Sequence, residues 1–176
     1  MVSLYGAAVV ELDVVDVRID ETMKSPFVEL RTRDDRRRLL PIFIGIAEAS
    51  AIKNGLEERT TPRPLTHDLI ALLLDATGMT LDQVVISSYR KKIFYADLHL
   101  SRGVERITVS CRPSDAIAVA VRRKVSVFAN DDVIEECSVA DLSPEADVPS
   151  GKSSEHLFDE FRRFIDDINP DDFKAP

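Results

Sequence analysis

The feature that most constrains this chain is how its two kinds of hydrophobic period are ordered. Val9–Ile19 alternates in part, with Val10, Leu12 and Val14 set against Glu11 and Asp13, and Phe27–Thr32 continues in the same style. That two-residue period belongs to half-buried strands. A polar turn at Arg33–Arg36 and an apolar strand at Leu39–Ile44 complete a hairpin. The period then changes. Gly45–Arg59 has helical spacing at Ile46, Ala49, Ile52 and Leu56, and after a proline-bearing loop at Thr61–Leu65 a second helix opens at Thr66. Thr66 is suited to cap it, Asp68 suits the helix dipole, and Gly78 stops it. Leu81–Ser88, Ile93–Leu100 and Arg106–Cys111 return to strands and read as an antiparallel meander, turning at Tyr89–Lys92 and Gly103. Strands grouped together with helices inserted between them, and no regular βαβ alternation, predict an α+β fold with a largely antiparallel or mixed sheet.

Pro113 suits the first turn of a further helix, whose Ala116–Val121 stretch is apolar all round and therefore buried, with Arg122–Lys124 closing it. Val125–Phe128 is a short buried strand, and Asn130 caps a brief helix through Cys137. Residues 1–137 form the body. Residues 138–154, with Pro144, Pro149 and Gly151, read as a linker. Residues 155–176 form an acidic tail with an amphipathic helix at Glu155–Ile168, striped by Leu157, Phe161, Phe164, Ile165 and Ile168. Such a stripe calls for a partner surface, on the body or on a second copy.

With 176 residues the chain can bury one real core. It has no Trp and only 6% aromatics, so Val, Ile, Leu and Ala must build that core. Cys111 and Cys137 show neither CxxC spacing nor accompanying histidines, which argues for reduced thiols rather than a disulfide or zinc site. No stretch approaches a membrane span, and the apolar run at Ala7–Val10 is too short for a signal peptide, so a cytoplasmic protein is expected.

The net charge of −8 argues against strong non-specific affinity for nucleic acid. It is uneven, however: residues 1–137 hold 21 acids and 19 bases, and the rest hold ten acids and four bases. Local basic clusters stand at Arg31/Arg33/Arg36/Arg37/Arg38, Arg90/Lys91/Lys92 and Arg122/Arg123/Lys124. Each reads first as a solvated turn or helix end, and a transient phosphate contact stays open.

No standard catalytic signature is present: no GxSxG, Walker A, GxGxxG or HExxH. Pro170–Lys174 spells PDDFK, but its acids are adjacent near a chain end, unlike the separated carboxylates of a restriction-type site. Three places carry candidate chemistry. Arg63, Thr66, His67 and Asp68 lie at a loop-to-helix junction able to bind phosphate, with His67 suited to proton transfer. Arg112, Ser114 and Asp115 lie at a second such junction, where Arg112 can meet phosphate or a carboxylate. Glu48 lies early in the first helix. If Glu48, Asp68 and Asp115 converged, they would suit Mg²⁺ or Mn²⁺, and a metal-activated water could attack a phosphodiester. Capping and internal ion pairing, through Arg112–Asp68 or Arg112–Asp115, explain the same residues without chemistry.

LPIFIG (Leu40–Gly45), RPLTHDL (Arg63–Leu69) and CRPSDAIA (Cys111–Ala118), with EASAI (Glu48–Ile52) and IFYADL (Ile93–Leu98), make the chain resemble the bifunctional nuclease family. The tail FDEFRRFIDDINPDDF (Phe158–Phe173) resembles that of actinobacterial members. The resemblance implies a compact α+β fold, often self-associated, that cuts DNA and RNA. It brings forward Glu48, Arg63, Thr66, His67, Asp68, Arg112, Ser114 and Asp115 as matching polar positions. His67, Asp68 and Asp115 are then the catalytic candidates, Arg63, Thr66, Arg112 and Ser114 the substrate contacts, and Glu48, Asp68 and Asp115 the metal ligands. A homo-oligomer, with a dimer foremost, is expected. The chain departs from the family in its very basic RTRDDRRRLL (Arg31–Leu40) and in RKK (Arg90–Lys92), which stands where a glycine-containing turn is usual. It also lacks the excision-repair-like motif of plant members. The rival reading is a non-catalytic interaction module.

Overall fold

Val, Ile and Leu alternating with acids along Ala7–Ile19 make β2, a 13-residue strand that organises the rest. The computed structural model describes residues 2–4 and 7–141. Within these, β1 (Val2–Leu4), β3 (Pro26–Thr32), β4 (Arg38–Phe43), β5 (Thr80–Arg90), β6 (Ile93–Arg102), β7 (Glu105–Cys111), β8 (Val127–Asn130) and β9 (Val139–Ala140) join β2 in one sheet. Its order is β7-β6-β5-β8-β2-β3-β4-β9, with β1 beside β2. Every pairing is antiparallel except β5–β8, so the sheet is mixed and the fold is α+β, as expected. The hairpin β3–β4 and the meander β5–β6–β7 fall where the apolar segments and polar turns placed them.

Four helices complete the body: α1 (Ile46–Leu56), α2 (Thr66–Ala76), α3 (Pro113–Arg123) and α4 (Asp131–Cys137). α3 is the buried one, with Ala116 through Ala120 almost inaccessible. It packs against α1, α2, β5 and β6, while α4 packs against β2, β4, β5 and β8. In β5, Val84, Val85 and Ile86 are buried in succession, as a strand covered on both faces requires. The largest fully buried side chains are Leu30, Leu40, Ile52, Ile86, Ile117 and Ile134, an aliphatic core of the kind the missing Trp demands.

Two boundaries differ from the sequence reading. The α2 N-cap is Leu65 rather than Thr66: the Asp68 carboxylate accepts the Leu65 N–H at 2.9 Å, making Thr66 the first helical residue. β8 starts at Val127 rather than Val125. Lys124 leaves α3 in the left-handed region at φ 53°, and the Val125 N–H still donates to Ala120, so the exit from the helix uses both residues before the strand. At Val139–Ala140, inside the expected linker, the chain forms β9 against β4. The remainder of that linker, the helix and stripe expected at Glu155–Ile168, and PDDFK lie outside the described residues.

The basic run Arg31–Arg38 is spent on structure. Arg31 meets Asp141 at 2.9 Å, Arg33 meets Glu11 and Asp13, and Arg36 reaches Asp34, Asp131 and Glu135. Arg38 donates to the hydroxyl and carbonyl of Ser138. These bonds tie the β3–β4 turn to β2, α4 and the end of the body.

Candidate active site

α1, α2 and α3 bring their N-terminal turns together around an open cleft of about 520 Å³, lined among others by Glu48, Thr66, His67, Arg112 and Asp115. Each helix begins directly after a strand or extended loop, so residues from EASAI, RPLTHDL and CRPSDAIA arrive at the same place. Gly45 caps α1 in an extended conformation. A Cβ there would stand 2.2 Å from Oε2 of Glu48, so the missing side chain leaves room for that carboxylate to fold back over the helix end.

Arg112 caps α3 and holds the cleft together. Its Nε donates to Oδ2 of Asp115 at 2.8 Å, its Nη2 to Oδ1 of the same carboxylate at 3.0 Å, and its Nη1 to Oε1 of Glu48 at 2.8 Å. The side chain is nevertheless 64% exposed. A guanidinium has five N–H donors; three are engaged here, so each terminal nitrogen keeps one N–H outside these bonds. The hydrogen bonds to Asp115 and then Glu48 raise its pKa above the ordinary arginine value, so it is a permanent cation. His67 completes the cluster, its Nε2 lying 3.1 Å from Oδ1 of Asp115 with the ring only 12% exposed. Burial acts to raise the Asp115 carboxyl, but hydrogen bonds from Arg112 and His67 and the charge of Arg112 outweigh it, leaving the pKa below the ordinary value of 3.8. Cys111, just before the cleft, is pushed up to about 11 by burial and then by the charges of Asp115 and Asp97, so it is a neutral thiol.

The structure therefore groups Glu48, Thr66, His67, Arg112 and Asp115, and separates the other candidates. Asp68 turns away: its Oδ1 takes a hydrogen bond from Nε of Arg122 and its Oδ2 takes the Leu65 N–H. Burial works against ionisation of Asp68, but the Arg122 hydrogen bond and the Leu65 N–H prevail and lower its pKa. Ser114 is buried within α3. Arg63 stands exposed on the loop before α2. The three carboxylates Glu48, Asp68 and Asp115 do not converge, because Arg112 occupies two of them and Arg122 the third. Among the described residues no group of three or more His, Cys, Asp or Glu side chains is arranged to hold a metal. The donor set thus does not fit Mg²⁺ or Mn²⁺ in this arrangement.

Of the two ion pairs weighed from sequence, Arg112–Asp115 forms, and Asp68 finds Arg122 instead of Arg112. Arg122 is the residue that sequence reasoning passed over. Only 10% exposed, it also donates to the carbonyls of Ala51 and Ala118, joining all three helices beneath the cleft. A signal was there to find it: Asp115, Ala118 and Arg122 share one helical stripe.

The Bifunctional nuclease domain model matches residues 28–141. An uncharacterized protein of Mycobacterium tuberculosis is 37% identical over 167 residues, which is 94% of this chain and 98% of that protein. Bifunctional nuclease 2 of Oryza sativa subsp. japonica is 27% identical over 149 residues, 82% of this chain and 46% of the rice protein. Bifunctional nuclease 1 of Arabidopsis thaliana is 26% identical over 108 residues, 60% of this chain and 33% of that protein. The chain thus spans less than half the length of these plant relatives. The domain match, covering most of β3, all of β4 to β9, the four helices and the whole cleft, places this chain in the bifunctional nuclease domain family.

Proposed function

We propose that this protein hydrolyses phosphodiester bonds in DNA and RNA with little sequence preference, at the cleft between α1, α2 and α3. One observation carries the reading: residues from three separated segments, Glu48, His67, Arg112 and Asp115, meet at a single cleft in one hydrogen-bonded cluster. In this reading Asp115 accepts Nε2–H of His67, which leaves the Nδ1 lone pair to take a proton from the attacking water; as the water oxygen bonds to phosphorus, the bond to the leaving ester oxygen breaks, and that oxygen takes up a proton from the imidazolium or from solvent. The two free N–H groups of Arg112 hold non-bridging phosphate oxygens. Thr66 lines the cleft as a polar contact, and Arg63 meets the strand outside it. Asp68 is a positioning residue acting through Arg122, and Ser114 supports the turn of α3 from inside. Because the carboxylates of the cleft are bound to arginine, cleavage is to be measured with Mg²⁺, with Mn²⁺ and with EDTA.

The sites of action follow from the same features. Cys111 and Cys137 are both free, which suits the reducing cytoplasm. Among the described residues no helix is long and apolar enough to cross a membrane. α2 exposes Leu69, Leu72 and Leu73 by half or more and buries no residue, and we assign this face to contact with a second copy of the chain, as a dimer.

One observation favours the rival reading of a non-catalytic interaction module: every carboxylate of the site is already paired with an arginine. Purified protein incubated with single- and double-stranded DNA and RNA separates the two. Cleavage that falls by about 10²-fold or more in a folded His67→Ala variant is the expected result. Undiminished cleavage in that variant moves the site elsewhere, and no cleavage under any metal condition selects the module.

A further inference from the structure

Most cations among the described residues have a hydrogen-bond or ion-pair partner. Arg33, Arg36, Arg102, Arg112, Arg122 and Arg123 each meet a carboxylate. Among the described residues Lys24, Arg63, Arg90, Lys91 and Lys92 show no hydrogen-bond or ion-pair partner for their side chains. Three of these five are consecutive, at the tip of the β5–β6 hairpin, and all three are exposed.

The backbone of that tip makes lysine a poor choice for stability. Arg90 pairs with Ile93, so Lys91 and Lys92 are the two loop residues, and their φ angles are 49° and 65°. A two-residue turn with both centres left-handed favours Asn-Gly, because glycine has no Cβ to clash and asparagine compensates with local hydrogen bonds. Lysine offers neither. The base of the hairpin is held by the Tyr89–Phe94 ring pair, with centroids 4.5 Å apart, so the tip is presented on a firm stem.

Register places this tip at the same end of the sheet as the cleft. Cys111, the last residue of β7, lies opposite Ala96 of β6, and the next residue is Arg112. β6 runs from that level back to the turn over three or four residues, roughly 10–13 Å at the rise of a strand. A strand of nucleic acid held at Arg112 therefore needs only a few nucleotides to reach Lys92.

We propose that Arg90, Lys91 and Lys92 form an anchor for the phosphate backbone of a nucleic-acid strand whose scissile bond lies in the cleft. The choice of polyanion rests on the nuclease reading; the anchor itself rests on unmatched charge, turn geometry and register. The test is binding of a single-stranded 20-mer to the full chain carrying His67→Ala, so that the strand stays intact, measured by anisotropy across a salt series. Lys91→Asn/Lys92→Gly should keep or raise Tm by a few degrees, yet weaken binding several-fold and flatten the log–log salt slope by about 1.4, at ~0.7 per lost phosphate contact. Arg90→Gln, which leaves the turn residues alone, should flatten it by about 0.7. Unchanged slope and affinity in these variants overturn the anchor, as does a parent protein that binds anionic lipid vesicles but not the oligonucleotide. Cleavage by the otherwise unaltered protein with no change of slope in the tip variants removes the anchor alone. Binding without cleavage in any metal condition removes the nuclease reading alone.

Discussion

Arg122 shows how a single side chain decides the shape of this site. It is long enough to reach the carbonyls of Ala51 and Ala118 and the Asp68 carboxylate from one position, and it is buried while doing so. Replacing it with Met takes the cationic partner from Asp68, which keeps only the Leu65 N–H, and removes the side-chain donor to both carbonyls. We expect a loss of about 2 kcal/mol, toward the low side for a broken buried pair because Asp68 keeps 31% of its side-chain surface exposed. Acid should act through the same contact. The folded pKa values of Asp68 and Asp115 lie below the ordinary 3.8, so the folded protein binds fewer protons than the unfolded chain. The stability they contribute is therefore complete above about pH 4 and is lost as pH falls through the lowered folded values. Thermal unfolding between pH 6 and pH 2 should show this loss, with Asp68→Asn shallower than the parent at the acid end. Superimposable acid profiles would remove Asp68 from the account.

At the scale of elements, α3 is the support on which α1 and α2 converge. Its Ala116, Ala118 and Ala120 bring it close to its neighbours, and Gly55 does the same for α1. A Cβ on Gly55 would stand 2.5 Å from Cγ2 of Val121 and 2.9 Å from Nη1 of Arg122. Gly55→Ala should therefore destabilise the fold by roughly 1–3 kcal/mol, although alanine has the higher helix propensity. Because the clash reaches Arg122, it should also loosen the seat of α2. Chemical denaturation checks the first effect: a gain in stability, as propensity alone requires, would show that α1 and α3 have room to separate.

Over the whole molecule, charge and apolar surface are distributed in opposite ways. Residues 1–137 carry 21 acids and 19 bases, mostly cancelled in pairs, which leaves the hairpin tip as the concentrated unmatched positive feature among the described residues. The apolar excess lies on α2, where Leu69, Leu72 and Leu73 are 50%, 51% and 53% exposed. If this face joins two copies, Leu69→Lys/Leu73→Lys should halve the mass seen by light scattering while circular dichroism stays unchanged. A parent protein that is already a monomer, or a variant of undiminished mass, assigns the leucines to another role.

What the sequence determined by itself was what local chemistry can dictate. Apolar segments parted by polar turns marked the β3–β4 hairpin and the β5–β6–β7 meander, an all-apolar run marked α3 as buried, Pro113 and Gly78 marked helix ends, and the missing Trp marked an aliphatic core. The grouping of strands and helices was enough for α+β, and the RPLTHDL and CRPSDAIA segments were enough for the family. Tertiary structure alone decided which charges met. Arg112–Asp115 is a local pair three residues apart that the sequence already offered, but Arg112 could be matched to Glu48, and Asp68 to Arg122, only once three helices from distant segments were seated together. The same holds for the basic runs. Arg31–Arg38 and Arg90–Lys92 look alike as strings, yet the first is folded against acids from β2, α4 and Asp141 while the second projects from a hairpin and makes no ion pair among the described residues. A charge has no fixed worth until the fold sets its distance to every other one.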